Sequence, residues 1–237
     1  MSGMNSEELK AVKLRQRSLE RTYNRAWNLA STLHGLIQSV PSSNGIFDNY
    51  AVMGDVRNTQ QKMSELHSSW NEVLKRALSN SEEISLLDNR GRTALHCACT
   101  KKPPLSVIRI LLTSDGTDEE CIMAMLMQRD NHGRTPLALS IGNNADPGVI
   151  KYLLHRCTKA AQIADNYQNL PLHIASMGDF DQDRVAIVQD LIDAFQDAVG
   201  ILSKAGKTPL HLAVECGGSL EVIDALVQGT LRFRNYL

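Results

Sequence analysis

Apolar residues recur three and four positions apart along most of this chain, and almost nowhere do they alternate with polar ones. Leu9, Val12, Leu19, Tyr23, Trp27, Ala30, Leu33 and Ile37 form one such series, with a break at Gln16. Met63, Leu66, Trp70, Val73 and Ala77 form a second. That spacing puts each series on one face of a helix. Pro41-Ser-Ser-Asn-Gly45 ends the first helix, and Ile46–Asp55 reads as a connection. The pattern predicts two long helices in a hairpin. Beyond Asp88 the apolar stripes shorten. Leu95/Ala98, Leu172/Ala175 and Leu210/Ala213 mark helices of only a turn or two, where the small Ala allows close helix approach.

These short stripes belong to a repeat. Asp88-Asn-Arg-Gly-Arg-Thr-Ala-Leu-His96 returns as Asp130-Asn-His-Gly-Arg-Thr-Pro-Leu-Ala138 and as Asp165-Asn-Tyr-Gln-Asn-Leu-Pro-Leu-His173, then as Lys204-Ala-Gly-Lys-Thr-Pro-Leu-His211. Each copy is followed by a second apolar element: Val107-Ile-x-x-Leu-Leu112, Val149-Ile-x-x-Leu-Leu154, Ile187-Val-x-x-Leu-Ile192 or Val222-Ile-x-x-Leu-Val227. The step between the two elements is the same at 93 to 107, 135 to 149 and 208 to 222. It is three residues longer at 170 to 187, which places an insertion in Met177–Asp183. After its second element the first repeat carries about seven extra residues, expected as a loop near Thr113–Glu120. Thr-Pro starts a helix well, because Thr caps free amides and Pro has no N–H to leave unpaired. Gly91, Gly133 and Gly206 suit the tight turns between repeats.

Gly-x-Thr-Pro-Leu-His-x-Ala followed by a paired apolar helix resembles the ankyrin repeat. The likeness covers roughly Asp88 to Gln228. It departs from the family pattern at Ala138 and Ser140, where His and Ala usually stand, and at Gln168 in place of Gly. The resemblance implies an all-α solenoid of stacked helix-turn-helix units. The expected divisions are 1–55 for an N-terminal helix and connection, and 56–87 for a capping helix resembling half a repeat. Repeats then follow at 88–129, 130–164, 165–202 and 203–237. Polar or specialised ends are needed by any such stack, and the helical hairpin would cap the first repeat.

Composition narrows the function. Lys and Arg total 25 against 26 Asp and Glu, which argues against bulk attraction to nucleic acid or an anionic membrane. No apolar run approaches the ~20 residues of a membrane span. Cys97, Cys99, Cys121, Cys157 and Cys216 are odd in number and without disulfide-framework spacing. The chain reads as soluble in a reducing compartment, cytoplasmic or nuclear.

Candidate chemistry gives way to structural readings. The resemblance implies that His96, His173 and His211 hydrogen-bond between neighbouring turns, and stacking keeps them too far apart for one metal. Cys97 and Cys99 lie two apart on a helix and face different sides, a poor pair for a metal or for redox chemistry. The Met123–Met127 run is expected to pack into the core. Gly206-Lys-Thr208 lacks the upstream Gly of a phosphate-binding loop, and hydrolase, zinc-protease and kinase motifs do not occur. The chain is expected not to be an enzyme and to need no cofactor or metal.

In ankyrin proteins the turn tips and inner helices form the usual binding surface. The resemblance therefore points to Arg90, His132 and Tyr167 before the turn position, and to Arg92, Arg134, Asn169 and Lys207 after it, with Lys101 and Lys102 near the first short helix. The arginines favour a protein partner with an acidic segment. The expected function is a protein-binding scaffold. The alternatives are assembly through the N-terminal hairpin, or service as the binding part of a larger protein.

Overall fold

The computed structural model describes residues 33–40, 69–80, 83–113, 118–177 and 182–234, and their regular structure is helical throughout. Most of the expected first helix, the Ile46–Asp55 connection and the centre of the Met177–Asp183 insertion lie outside the described residues. The first repeat contributes α1 (Ala94–Cys99), α2 (Leu105–Thr113) and α3 (Glu119–Met127). The second contributes α4 (Pro136–Gly142) and α5 (Pro147–Arg156). The third contributes α6 (Pro171–Ala175) and α7 (Gln182–Ala194), and the fourth α8 (Pro209–Glu215) and α9 (Leu220–Arg234).

The inner helices α1, α4, α6 and α8 are too short to persist alone in water. Caps and packing hold them. The hydroxyls of Thr93, Thr135 and Thr208 accept the amide three residues on, at 3.4, 3.3 and 3.3 Å. Every residue of α1 is buried, as are Pro136 to Ile141 of α4. Outer helices bury one stripe each, Val107, Ile108, Leu111 and Leu112 on α2 and Val149, Ile150, Leu153 and Leu154 on α5. The stripes join in one continuous core that runs the length of the stack.

The seven extra residues of the first repeat do not form only a loop. Asp118 accepts the Cys121 amide at 2.7 Å and opens α3, with Glu119 and Glu120 in its first turn and Ile122, Met125 and Leu126 buried. In the next two repeats the same place is held by single 3-10 turns, Thr158–Gln162 and Gln196–Val199. Those turns bury only Ala160 and Ala161, or Ala198 and Val199. The extra length thus converts a one-turn spacer into a helix with a larger apolar face. Of the methionine run, Met125 is buried, Met123 packs half-buried on the core and Met127 is exposed.

Before Asp88, residues 33–39 and 69–79 are helical. They bury Leu33, Ile37, Trp70, Val73 and Ala77. Val73 and Ala77 stand where Val107 and Leu111 stand in the first repeat, so 69–79 takes the place of an outer helix.

Candidate functional site: the turn row and its junctions

Each of the first three turns is built around one acidic residue, and Ser203 holds that place in the fourth. The Oδ1 of Asp88 accepts the amides of Arg90 and Arg92, that of Asp130 those of His132 and Arg134, and that of Asp165 those of Tyr167 and Asn169. The residue after each tip must then sit in the left-handed region. Gly91, Gly133 and Gly206 do so with φ of 69°, 78° and 70°. Gln168 adopts φ 58° despite its side chain, against the steric preference of L-residues.

Turns are tied to one another through the backbone. Asn131 N–H donates to the Arg90 carbonyl at 2.9 Å, Asn166 to His132 at 2.9 Å and Lys204 to Tyr167 at 2.8 Å. The three residues whose carbonyls are used this way turn their side chains outward. Arg90 and His132 are exposed, and Tyr167 is 63% exposed. They form a row with one member per repeat, set on a hydrogen-bonded frame.

The other expected contact residues are placed differently. Arg92 is buried, and its guanidinium meets the Asp88 carboxylate at 2.8 Å. Arg134 is half-buried and pairs with Asp130 at 2.7 Å. Asn169 is half-buried, with its side-chain amide on Asp165. Lys207 reaches Glu215 at 2.6 Å. Lys101 and Lys102 are half-buried at the end of α1, and Lys102 has φ 51°. Arg92, Arg134 and Asn169 brace their own turns, whereas Arg90, His132 and Tyr167 project outward. The electrostatics agree. Burial tends to raise the Asp130 carboxyl, but the Arg134 side chain and amide outweigh it, so the pKa is lowered. Asp88 is lowered by the same balance, with Arg92 opposing burial.

Histidines close the junctions beneath the turns. The His96 Nδ1 accepts the Thr93 N–H at 3.2 Å, and its Nε2 lies 3.1 and 3.2 Å from the carbonyls of Gln128 and Arg134. Two carbonyls facing Nε2 require the proton there, which fixes the neutral tautomer. His173 repeats the arrangement with the Leu170 N–H and the carbonyls of Ile201 and Lys207. The second repeat has Ala138 at this position. Its junction is braced instead by Arg129, which donates to the Gly133 carbonyl and to the Ala164 carbonyl just before the third turn, both at 3.1 Å. A second brace comes from buried Arg184 of α7, which reaches the Ile141 carbonyl and the Asn144 side chain.

A further junction histidine lies outside the four copies of the repeat motif. His34 Nε2 lies 2.8 Å from the Arg92 carbonyl, the same turn position that His96 meets at Arg134 one repeat later. Ser31-Thr-Leu-His34 matches Thr93-Ala-Leu-His96 in register, so the signal was present. It was hidden because no Asp-x-x-Gly turn precedes it and because Leu33 and Ile37 also fit the long helical stripe. Among the described residues, His34, Asp88 and Cys97 place potential metal-ligand atoms within 4.8 Å of one another. Their chemistry disfavours a cation. The Asp88 carboxylate already holds the Arg92 guanidinium, His34 Nε2 is directed at a carbonyl, and burial pushes the Cys97 thiol up to about 12.

Stacked helix pairs, turns in register and a histidine closing each of several junctions define a helical solenoid of short repeats. Comparison places the chain within that class: the family model for ankyrin repeats (3 copies) matches residues 64–164 and 146–234. The chain belongs to the ankyrin-repeat family. It is 27% identical over 153 residues to alpha-latrotoxin-Lg1a of Latrodectus geometricus, covering 65% of this chain and 10% of the toxin. It is 31% identical over 170 residues to Rabankyrin-5 of Mus musculus, covering 69% of this chain and 13% of that protein. It is 24% identical over 223 residues to human transient receptor potential cation channel subfamily A member 1, covering 89% of this chain and 19% of the channel. The chain thus spans a small part of the length of these relatives. Ankyrin repeats generally mediate protein–protein interaction. Among the described residues, no helix is long and apolar enough to cross a membrane.

Proposed function

We propose that this chain is a non-catalytic protein-binding module that docks its partner along the row of turn tips formed by Arg90, His132 and Tyr167. The observation that carries the reading is the backbone ladder joining these residues. It fixes three outward side chains at one-repeat spacing while the neighbouring arginines are held within their turns. A cation, an imidazole and a phenol in line suit an extended partner segment with acidic groups at one end and apolar surface at the other. Tyr supplies contact area with little rotamer freedom to lose. The acidic character of the partner rests on Arg90, supported by Lys101 and Lys102.

The test is affinity capture with identification of the bound proteins, repeated with an Arg90→Glu, His132→Glu, Tyr167→Ala variant and with Lys159→Glu as a control on an exposed 3-10 turn. Partners held by the row are lost from the triple variant, kept by the control and released from the native chain by added salt. Each exposed charge contact contributes only ~0.2–1 kcal/mol, so the triple variant is more informative than any single one. Capture that is identical for all three chains sinks the turn-row assignment.

A further inference from the structure

Among the described residues, three other than glycine hold left-handed backbone: Lys102 at φ 51°, Asn144 at φ 50° and Gln168 at φ 58°. Two of them have a local reason. Pro103 follows Lys102 and disfavours the right-handed helical alternative there. Asn tolerates this region, and the Asn144 side chain receives the buried Arg184 guanidinium. Gln168 has neither. It is exposed, it stands where the other three turns have Gly91, Gly133 and Gly206, and no described residue hydrogen-bonds its carboxamide. Strain held without any return inside the fold points to a contact made outside it.

The next turn leaves the room for this side chain. A Cβ on Gly91 would meet the Asn131 carboxamide, and one on Gly133 that of Asn166, too closely to fit. Those carboxamides are held in place, because Asn131 Nδ2 donates to the Asn89 carbonyl at 3.3 Å and Asn166 Nδ2 to the Asn131 carbonyl at 3.0 Å. The corresponding residue of the fourth turn is Lys204. Its backbone N–H still donates to the Tyr167 carbonyl at 2.8 Å, but no side-chain donor reaches back to the Asn166 carbonyl among the described residues. The main-chain ladder thus continues while the side-chain ladder stops. The third tip is left with the Gln168 carboxamide, the Asn166 carbonyl and the exposed Tyr167 ring together. A carboxamide carries the same donor and acceptor pair as a peptide group. A nucleobase edge offers such a pair too. However, 25 Lys and Arg against 26 Asp and Glu give a polyanion no field to hold it.

We propose that the third turn reads the main chain of an extended partner segment. Gln168 Nε2 donates to a partner carbonyl and Oε1 accepts a partner N–H, the Asn166 carbonyl accepts a second N–H, and the Tyr167 ring lies along the segment. The inference rests on the turn-row reading and adds to it a contact that does not depend on the partner's side chains.

The probe is a random peptide library displayed on phage and selected on the full chain, with the tightest peptide resynthesised for titration. Gln168→Gly raises the denaturant midpoint, because the left-handed strain is relieved. The same variant binds the peptide about tenfold more weakly, as the loss of two neutral hydrogen bonds requires. At one peptide position, replacing the amide by an ester removes an N–H and weakens binding to the native chain but not to Gln168→Gly. Undiminished binding by Gln168→Gly overturns the proposal, as does a lowered midpoint, since the side chain would then serve the fold. Loss of binding without sensitivity to an ester at any position overturns it as well. In each of these cases the turn row stands if the Arg90→Glu, His132→Glu, Tyr167→Ala variant loses the peptide. A library from which nothing is selected, or peptides that this triple variant binds as well as the native chain, overturn the row and the inference with it.

Discussion

At His96 the imidazole is neutral because burial, opposed only in part by the Asp130 charge, lowers its pKa from 6.5 to about 4. The geometry acts in the same direction, since a proton on Nδ1 would face the Thr93 N–H donor. The unfolded chain therefore binds a proton between pH 6.5 and about 4 that the folded chain does not. Stability contributed by the neutral ring is present above 6.5 and is lost as pH falls through that window. The shift sets an upper bound of about 3 kcal/mol on the loss. His173 is lowered by burial too and adds to the same slope. Asp88 and Asp130 act lower down: their stability is present above the ordinary 3.8 and disappears as pH falls below it. Denaturant midpoints measured from pH 7 to pH 4 should decline steadily for the native chain. His96→Gln should make that decline shallower, leaving the part due to His173. A native midpoint that stays flat between 6.5 and 4 would show that the rings are not held neutral by the fold.

Whole elements depend on how their junctions are closed, and the second repeat offers a direct comparison. Ala138 occupies the histidine position, so the Thr135 amide and the carbonyls of Ile163 and Asn169 lack the imidazole that links their counterparts elsewhere. Arg129 bridges the same two repeats from the turn side. Ala138→His supplies the missing ring at a site whose cap, Thr135, is already in place. It is expected to raise stability by about 1 kcal/mol, the net value of a hydrogen bond made from a preset position. A lowered midpoint would mean that the second junction has packed too tightly to admit the ring.

The comparison also shows what the sequence made legible. Helix pairs, Thr caps and turn glycines follow from local chemistry, and they were readable because each motif acts on its immediate neighbours. The fates of Arg92 and Arg134 were not readable. Each lies four residues after an aspartate, so partner binding and an internal ion pair were equally compatible with its position. Similarly, the seven extra residues of the first repeat gave a length, but only packing beneath the next turn made Ile122 and Leu126 part of a helix. His34 failed for another reason: its partner, the Arg92 carbonyl, is 58 residues away and carries no side-chain signature.

For the molecule as a whole, stability is distributed along the stack, because each repeat rests on its neighbours and not on a common centre. The inner helix α4 is enclosed between α1 and α6, and Pro136 to Ile141 are all buried. By contrast α8 has α6 on one side only, with Val214, Glu215 and His211 exposed on the other. Local opening free energies should follow that asymmetry, since regions with fewer buried contacts open before the global transition. Outer helices pack through apolar residues such as Val222 and Leu226 of α9, and the polar links between them add little. Those polar links include an exposed Lys151–Asp190 pair at 3.6 Å, an exposed Arg232–Asp193 pair at 4.0 Å and Arg109 lying 5.5 Å from the Tyr152 ring. Exposed pairs of this kind contribute ~0.2–1 kcal/mol each, too little to hold an end repeat closed. Native-state hydrogen exchange should therefore show the amides of α8 exchanging at least tenfold faster than those of α4. Rising denaturant should open α8 and α9 first, while α1, α4 and α6 remain protected until the whole array unfolds. Arg90 and His132 of the proposed row are tied within those more protected repeats, so they should survive fraying of the fourth, whereas Tyr167 loses its Lys204 rung. Equal protection of α4 and α8 would mean that the array opens only as one unit and that the exposed end face carries no local instability.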